Sequence, residues 1–169
     1  GLGEKIAAVC RDLEVPVIAK EVGNGISVDA AIRLQRAGVN ALDVAGYGGT
    51  SWSAVEAQRA VKQGKRPDTA FAAWGIPTEE ALVSVRQALP DIQLIASGGV
   101  RSGVDIAKAI ALGADLGAFG QPLLAAALES SAKVIEFIAG VIHELKVSML
   151  CVGAVDLTAL RKAPLVHQS

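Results

Sequence analysis

The sequence has few cysteines, histidines and aromatic residues and almost no net charge, and each shortage excludes a class of protein. Its only cysteines, Cys10 and Cys151, form no C-x-x-C pair, so neither a disulfide framework nor a zinc site is indicated, and a reducing cytoplasm is expected. A formal net charge of −1 over 169 residues gives no global attraction to nucleic acid or to an anionic membrane. The longest apolar runs, such as residues 123–128, are much shorter than the roughly 20 residues of a membrane span.

Apolar residues are abundant, at 51% of the chain, but they are spread over many short segments. This content suits one domain with a buried core and excludes intrinsic disorder. Gly1 is followed directly by an amphipathic helix pattern over residues 4–13, with no initiating methionine and no signal peptide. The chain therefore reads as the interior of a longer protein.

Strand and helix patterns alternate four times along the chain. Strands are predicted over residues 15–20, 40–44, 92–96 and 115–119, and the first is apolar enough to be buried on both faces. Helices are predicted over residues 28–37, 53–62, 78–89, 104–112, 121–128, 131–150 and 155–160. Ser27 and Thr78 are the predicted N-caps of the first and third of these helices. Such alternation implies parallel strands, in either an open doubly wound sheet or part of a closed eight-stranded barrel.

The glycine-rich segments decide between these two architectures. Those that do not simply end helices all follow predicted strands: residues 23–25, 46–49, 98–99 and Gly120. Two adjacent late strands, each followed by glycine and the start of a helix, match the phosphate site that barrels commonly build after their last two strands. The sequence therefore favours a (β/α)8 barrel.

Two features have the residue types of a ligand site. The segment Ser97–Gly103 contains two consecutive glycines that would let backbone N–H groups approach a phosphate, although a tight turn without ligand uses the same residues. Lys20 ends an apolar strand, where its ammonium group would either meet an anion or simply extend into solvent. Both interpretations stay open for each feature.

The remaining polar residues at strand ends do not specify a reaction. The loop of residues 45–52 offers the hydroxyls of Thr50 and Ser51 and the indole of Trp52, or else it is only a turn with a helix cap and a packed tryptophan. Glu21 and Asp43 also lie at strand ends, and Asp43 suits a structural acceptor equally well. His143 and His167 lie on the last long helix and in the tail, and both are expected at the surface. No acid/base pair with a convincing spacing is present.

Four motifs together resemble the type 2, FMN-dependent isopentenyl-diphosphate delta-isomerase family, over its C-terminal half. They are V-I-A-K-E-V-G at residues 17–23, G-G-T-S-W at 48–52, W-G-I-P-T at 74–78 and A-S-G-G-V-R-S-G at 96–103. The K-E-V-G and G-G-T-S-W combination is specific, whereas G-G-V-R alone is shared by many flavin-binding and phosphate-binding barrels. Hydroxy-acid-oxidising flavoenzymes carry a His-Gly-Gly-Arg segment where this chain has residues 46–50 without histidine or arginine. The inosine monophosphate dehydrogenases need a nucleophilic cysteine in a loop after a strand, which this chain lacks.

The resemblance implies a (β/α)8 barrel that binds FMN and Mg²⁺, uses NADPH as reductant, and interconverts isopentenyl and dimethylallyl diphosphates by proton addition and elimination. It places Lys20 beside the isoalloxazine ring and Thr50 near the phosphate or ribityl chain. It also implies a phosphate cradle formed by residues that follow the last two strands: Gly98, Gly99, Val100, Arg101, Gly120 and Gln121.

The same resemblance leaves the catalytic residues unassigned. The family's substrate-facing glutamine and Mg²⁺-binding glutamate lie in an Asn-x-x-Gln-Glu-like segment that this sequence does not contain, so they are expected upstream of Gly1 and no metal ligand is assigned here. Residues 1–169 are expected to form one FMN-binding half-barrel, with residues 129–169 as a C-terminal helical extension. A cytoplasmic homo-oligomer, tetrameric or octameric, is implied, with a small diphosphate substrate and no nucleic-acid or membrane partner. Another FMN-dependent barrel oxidoreductase, or a non-catalytic half-barrel that holds phosphate, remains an alternative.

Overall fold

A computed structural model of the protein describes residues 1–166 and contains one parallel β-sheet. Its strands are β1 (Ile18–Lys20), β2 (Ala41–Asp43), β3 (Gln93–Ala96) and β4 (Leu116–Gly117). They are neighbours in the order in which they occur along the chain, and every pair is parallel. A doubly wound sheet reverses its strand order at a switch point, whereas a barrel adds each strand beside the last. The prediction of a half-barrel of four βα units is confirmed.

The described helices cover the sheet and extend beyond its last strand. They are α1 (Leu2–Asp12), α2 (Val28–Arg36), α3 (Trp52–Lys62), α4 (Thr78–Ala88), α5 (Gly103–Ala111), α6 (Gln121–Glu129), α7 (Ser131–Cys151) and α8 (Leu157–Leu160). The predicted N-cap Ser27 is confirmed, since its hydroxyl accepts a hydrogen bond from the N–H of Ala30. None of these helices combines the length and the apolar character that crossing a membrane requires.

The core lies between the outer face of the sheet and the helices. Leu42, Val44 and Leu94 of the strand segments pack with Leu82 and Val85 of α4, and all five are almost fully buried. Because side chains alternate along a strand, Asp43 lies on the face opposite to its apolar neighbours. Asp43 is one of the few polar residues that are buried in the described part of the chain.

The prediction that the first strand is buried on both faces is wrong. Only residues 18–20 form β1, and Ile18 is 54% exposed. The reason is the position of β1 at an edge of the sheet, where β2 is its only described neighbour. Leu116 of β4 is exposed at the other edge for the same reason.

The prediction that Thr78 caps helix α4 is also wrong. The N-cap is Pro77, and Thr78 is already the first helical residue. Its hydroxyl instead donates to the main-chain carbonyls of Gly98, at 2.6 Å, and of Ser97, at 3.3 Å. Thr78 therefore ties the start of α4 to the loop after β3.

An ion-pair network lies at the amino-terminal end of the sheet, at the start of β4. Asp115 pairs with Arg86 of α4 and with Arg161, which follows α8, at 2.7 Å each, and it accepts a hydrogen bond from the N–H of Leu94 at 2.8 Å. Burial raises the pKa of Asp115, but the Leu94 N–H and the two guanidinium groups outweigh that effect and hold the pKa below its ordinary 3.8. The network links the C-terminal segment to the sheet.

We expect Asp115→Asn to lower the free energy of unfolding by about 2 kcal/mol at pH 7, because two arginines lose their shared partner. A carboxyl group whose pKa is depressed by folding stabilises the protein above its unfolded-state pKa, and that contribution disappears as the pH falls through the folded-state value. Urea unfolding at pH 7 and at pH 3 should therefore show a smaller loss on acidification in the variant than in the wild type. An equal loss in both would contradict this role.

Candidate functional site

The carboxyl ends of the four strands enclose a cavity of about 800 Å³. All eight residues that the sequence predicts as cofactor contacts line it: Lys20, Thr50, Gly98, Gly99, Val100, Arg101, Gly120 and Gln121. They come from the last residue of β1 and from the segments that follow β2, β3 and β4, which the fold brings to one edge of the sheet. We call this space the strand-end cavity.

A larger groove, of about 1240 Å³, lies along the open side of β1, between α1 and the loop at Trp74. Its lining is mainly apolar and contains none of the glycine segments that follow β2, β3 and β4. Of the eight predicted contacts only Lys20 also lines this groove, whereas all eight line the strand-end cavity, so we take that cavity, and not the larger groove, as the candidate site.

The strand-end cavity has the backbone donors that a phosphate group needs. Within residues 1–166, the N–H groups of Gly99, Val100, Gly120 and Gln121 form no hydrogen bond. The N–H of Arg101 is different, because it already donates to the carboxylate of Asp105 at 3.0 Å. Gly120 and Gln121 also begin helix α6, whose N-terminus adds partial positive charge. The arrangement fits a phosphate held between two adjacent strand ends.

The consecutive glycines also have a packing role. Gly98 has a φ of +92°, and a Cβ atom at this position would lie 2.1 Å from the carbonyl oxygen of Gly46. Gly99 has a φ of +83°, and its Cβ would lie 2.7 Å from the carbonyl oxygen of Gly48. The loops after β2 and β3 therefore pack backbone to backbone. The tight-turn and ligand-site interpretations of this segment are compatible, because Gly99 and Val100 line the cavity and their N–H groups have no partner within residues 1–166.

Lys20 belongs to a closed cluster of three side chains. Its Nζ lies 3.1 Å from Oδ2 of Asp43, its partner in the register of β1 and β2, and donates to the hydroxyl of Ser97 at 3.3 Å. Ser97 in turn donates to Oδ1 of Asp43 at 2.6 Å. The carboxylate is 7% exposed, whereas the lysine side chain is 54% exposed. Asp43 and Ser97 therefore hold the ammonium group in place, and Lys20 still lines the cavity.

The sequence does not predict a role for Ser97 or Ala45 in this site, and it leaves the role of Asp43 open. It gives no role to the Ser97 side chain, and it weighs Asp43 as a strand-end carboxylate that could equally well be a structural acceptor. Ala45, which lines the cavity, has a φ of +35°, the left-handed region that disfavours alanine. Its N–H donates to Oδ1 of Asp43 at 3.1 Å. An aspartate inside an otherwise apolar strand is the signal that could have found this cluster.

Other polar candidates have different roles. The Glu21 carboxylate accepts hydrogen bonds from the N–H groups of residues 22–24, so it shapes the loop after β1. Ser51 caps helix α3 and also donates to the carbonyl of Ala72. Trp52 lines the cavity but is 56% exposed, so it is not a packed anchor. His143 is exposed, as expected, and His167 lies outside the described residues.

A family model for FMN-dependent dehydrogenases matches residues 3–167. Among curated proteins, the chain is 50% identical over 165 residues to an isopentenyl-diphosphate delta-isomerase of Xanthobacter autotrophicus, covering 98% of this chain and 48% of that protein. It is 51% identical over 163 residues to the protein of the same name from Synechococcus, covering 96% and 47%. The chain thus spans about half the length of the curated relatives it matches, namely their C-terminal half.

Solved structures agree on the fold. A mandelate oxidase with benzoyl-formic acid superposes with a TM-score of 0.73 at 25% identity, covering 96% of this chain and 42% of that one. A lactate oxidase of Pediococcus acidilactici superposes with a TM-score of 0.74 at 24% identity, covering 99% and 41%. In both cases the match again extends over less than half of the larger protein.

Proposed function

The chain belongs to the FMN-dependent dehydrogenase family, and from this membership we propose that it forms the FMN-binding half of an isopentenyl-diphosphate delta-isomerase. The observation that carries the activity is the identity of about 50%, over nearly the whole chain, to curated proteins of that name. The oxidases that share the fold are about half as similar in sequence. The loop after β2 also has neither histidine nor arginine over residues 46–50, where hydroxy-acid-oxidising relatives carry both.

The residues of the strand-end cavity divide between the two ends of FMN. The free N–H groups of Gly99, Val100, Gly120 and Gln121 would bind the phosphate, with the Arg101 side chain nearby. Lys20 would lie beside the isoalloxazine ring, and Thr50 near the phosphate or the ribityl chain of FMN. The reduced flavin would supply the acid/base chemistry of the isomerisation at its N5 position. The described lining contains no histidine that could take this part.

The remaining components would come from outside the described site. Within residues 1–166, no cluster of three or more His, Cys, Asp or Glu side chains could hold a metal ion. As the family resemblance implies, Mg²⁺ and the substrate-facing glutamine would be held by the half of the barrel that the relatives have in addition. NADPH would reduce the flavin, and the assembled protein would be a cytoplasmic homo-oligomer. Residues 1–169 would form the half-barrel segment, with residues 129–169 as its helical extension.

The activity can be tested directly in the protein expressed from its whole reading frame. We expect it to convert isopentenyl diphosphate to dimethylallyl diphosphate when FMN, Mg²⁺ and NADPH are supplied without oxygen, and to stop when the reductant is left out. Lactate and mandelate with oxygen serve as the comparison substrates. Oxidation of either, with no isomerisation, would favour the FMN-dependent oxidoreductase, and phosphate binding without turnover of any substrate would favour a non-catalytic module.

A further inference from the structure

The cluster of Lys20, Asp43 and Ser97 has a feature that the proposed function does not explain. Lys20 and Arg101 are the cationic side chains in the described lining of the strand-end cavity, and Asp43 is its single anionic one. That one carboxylate lies 3.1 Å from the ammonium group that would face the flavin ring. The positive charge that Lys20 presents to a ligand is therefore largely offset by the carboxylate of Asp43.

The contacts within the cluster also fix the direction in which the ammonium group of Lys20 points. An ammonium group has three N–H donors. Ser97 accepts a hydrogen bond from one of them, Asp43 lies 3.1 Å from Nζ as an ion pair, and within the described residues the ammonium group has no other partner. Asp43 is itself held by the Ser97 hydroxyl and the Ala45 N–H, so the carboxylate cannot turn to follow the lysine. One donor of Lys20 is consequently left for a ligand.

We propose that Asp43 is a positioning residue that aims Lys20 at the flavin ring and, by neutralising it, limits the stabilisation of the reduced, anionic ring. This role rests on the proposed FMN site. A cation beside the ring stabilises the negative charge that appears on reduction, and a carboxylate paired with that cation opposes the effect. Asp43 acts through Lys20 and need not touch the cofactor.

The decisive variant is Asp43→Asn, which removes the charge and keeps an oxygen acceptor for Ser97 and Ala45. We expect reduced FMN to gain affinity relative to oxidised FMN by about tenfold, which raises the two-electron midpoint potential by about 30 mV. The phosphate group is the same in both oxidation states, so the potential reports only on the ring. The measurement is a spectroscopic redox titration of the holoprotein expressed from the whole reading frame.

Two further variants keep the result interpretable. Asp115→Asn is the matched control, because it removes a paired aspartate at the opposite end of the sheet, and the potential should not change. Ser97→Ala keeps both charges but removes the hydroxyl that accepts from Lys20 and donates to Asp43, so the carboxylate no longer holds the ammonium group in one position. Oxidised FMN should then bind about fivefold more weakly with little change in potential. If Asp43→Asn does not fold, this loss of affinity remains as the test.

Each outcome is decisive. A folded Asp43→Asn holoprotein with wild-type potential overturns the role of Asp43, and so does a shift of equal size in Asp115→Asn. If Asp43→Asn is unfolded, wild-type FMN affinity in Ser97→Ala overturns it. A wild-type protein that takes up no FMN overturns the proposed function itself, and the role of Asp43 with it. The two failures are distinguishable because the first requires a flavin-loaded wild type.

Discussion

Replacing Gly98 with alanine should lower the free energy of unfolding by more than about 3 kcal/mol and abolish flavin binding. The new Cβ would lie 2.1 Å from the carbonyl oxygen and 2.6 Å from the nitrogen of Gly46, so the loops after β2 and β3 would have to separate. The positive φ of +92° adds the strain that any L side chain meets there. The loop that would move carries the Gly99 and Val100 donors. Urea unfolding and FMN titration measure the two effects.

Two other glycines separate the causes of this effect. Gly64 has a φ of +70°, but a Cβ atom there would have no neighbouring atom within 4 Å, so Gly64→Ala should cost only the backbone strain, about 1 kcal/mol. Gly120 lines the same cavity, and a Cβ there also meets nothing within 4 Å. Gly120→Ala should therefore change stability by less than about 1 kcal/mol. Equal losses in Gly98→Ala and Gly64→Ala would contradict the backbone packing of the two loops.

Gly103→Ala should lower the free energy of unfolding by more than about 2 kcal/mol, because helices α5 and α7 touch at this residue. A Cβ would lie 2.2 Å from the carbonyl oxygen of Val141 and 2.5 Å from the nitrogen of Leu145, both in the backbone of α7. The same contact lets the Gly103 N–H donate to Glu144 at 2.7 Å, so the long helix supplies an acceptor at the start of α5. Chemical denaturation followed by circular dichroism measures the loss.

The matched control for this prediction is Gly140→Ala on α7 itself. Its Cβ would meet nothing within 4 Å, and alanine is the better helix former, so the variant should be more stable by about 0.5–1 kcal/mol. Opposite signs for the same substitution on two contacting helices would show that the effect comes from packing and not from helix propensity. A loss of similar size in both variants would contradict the close contact at Gly103.

The local features of the fold were predictable from the sequence because short-range chemistry determines them. Ser27 caps α2, and Gly38 follows its end with a φ of +97°, as a helix-ending glycine should. The position of the glycine loops after strands was enough to predict which residues gather at one edge. All of the predicted cofactor contacts accordingly line a single cavity, although what they bind there remains a proposal.

The features that were not predictable depend on contacts between distant segments. Asp43 meets Lys20 because of the register of β1 and β2, which a single sequence does not specify. Thr78 has the residue type of an N-cap, yet it bonds to carbonyls about twenty positions further along the chain. The exposure of Ile18 reflects the edge position of β1 and not its composition. In each case the residue's environment depends on a segment that is distant along the chain, and the local sequence pattern does not show which segment that is.

The measurement that tests the FMN site most directly is a comparison of FMN with riboflavin, which has the same ring and no phosphate. If the backbone donors of Gly99, Val100, Gly120 and Gln121 form the phosphate cradle, the protein from the whole reading frame should bind FMN at least about 100-fold more tightly than riboflavin, or about 2.7 kcal/mol. Equal affinities for the two flavins, or no binding of FMN, would contradict the assignment of the strand-end cavity.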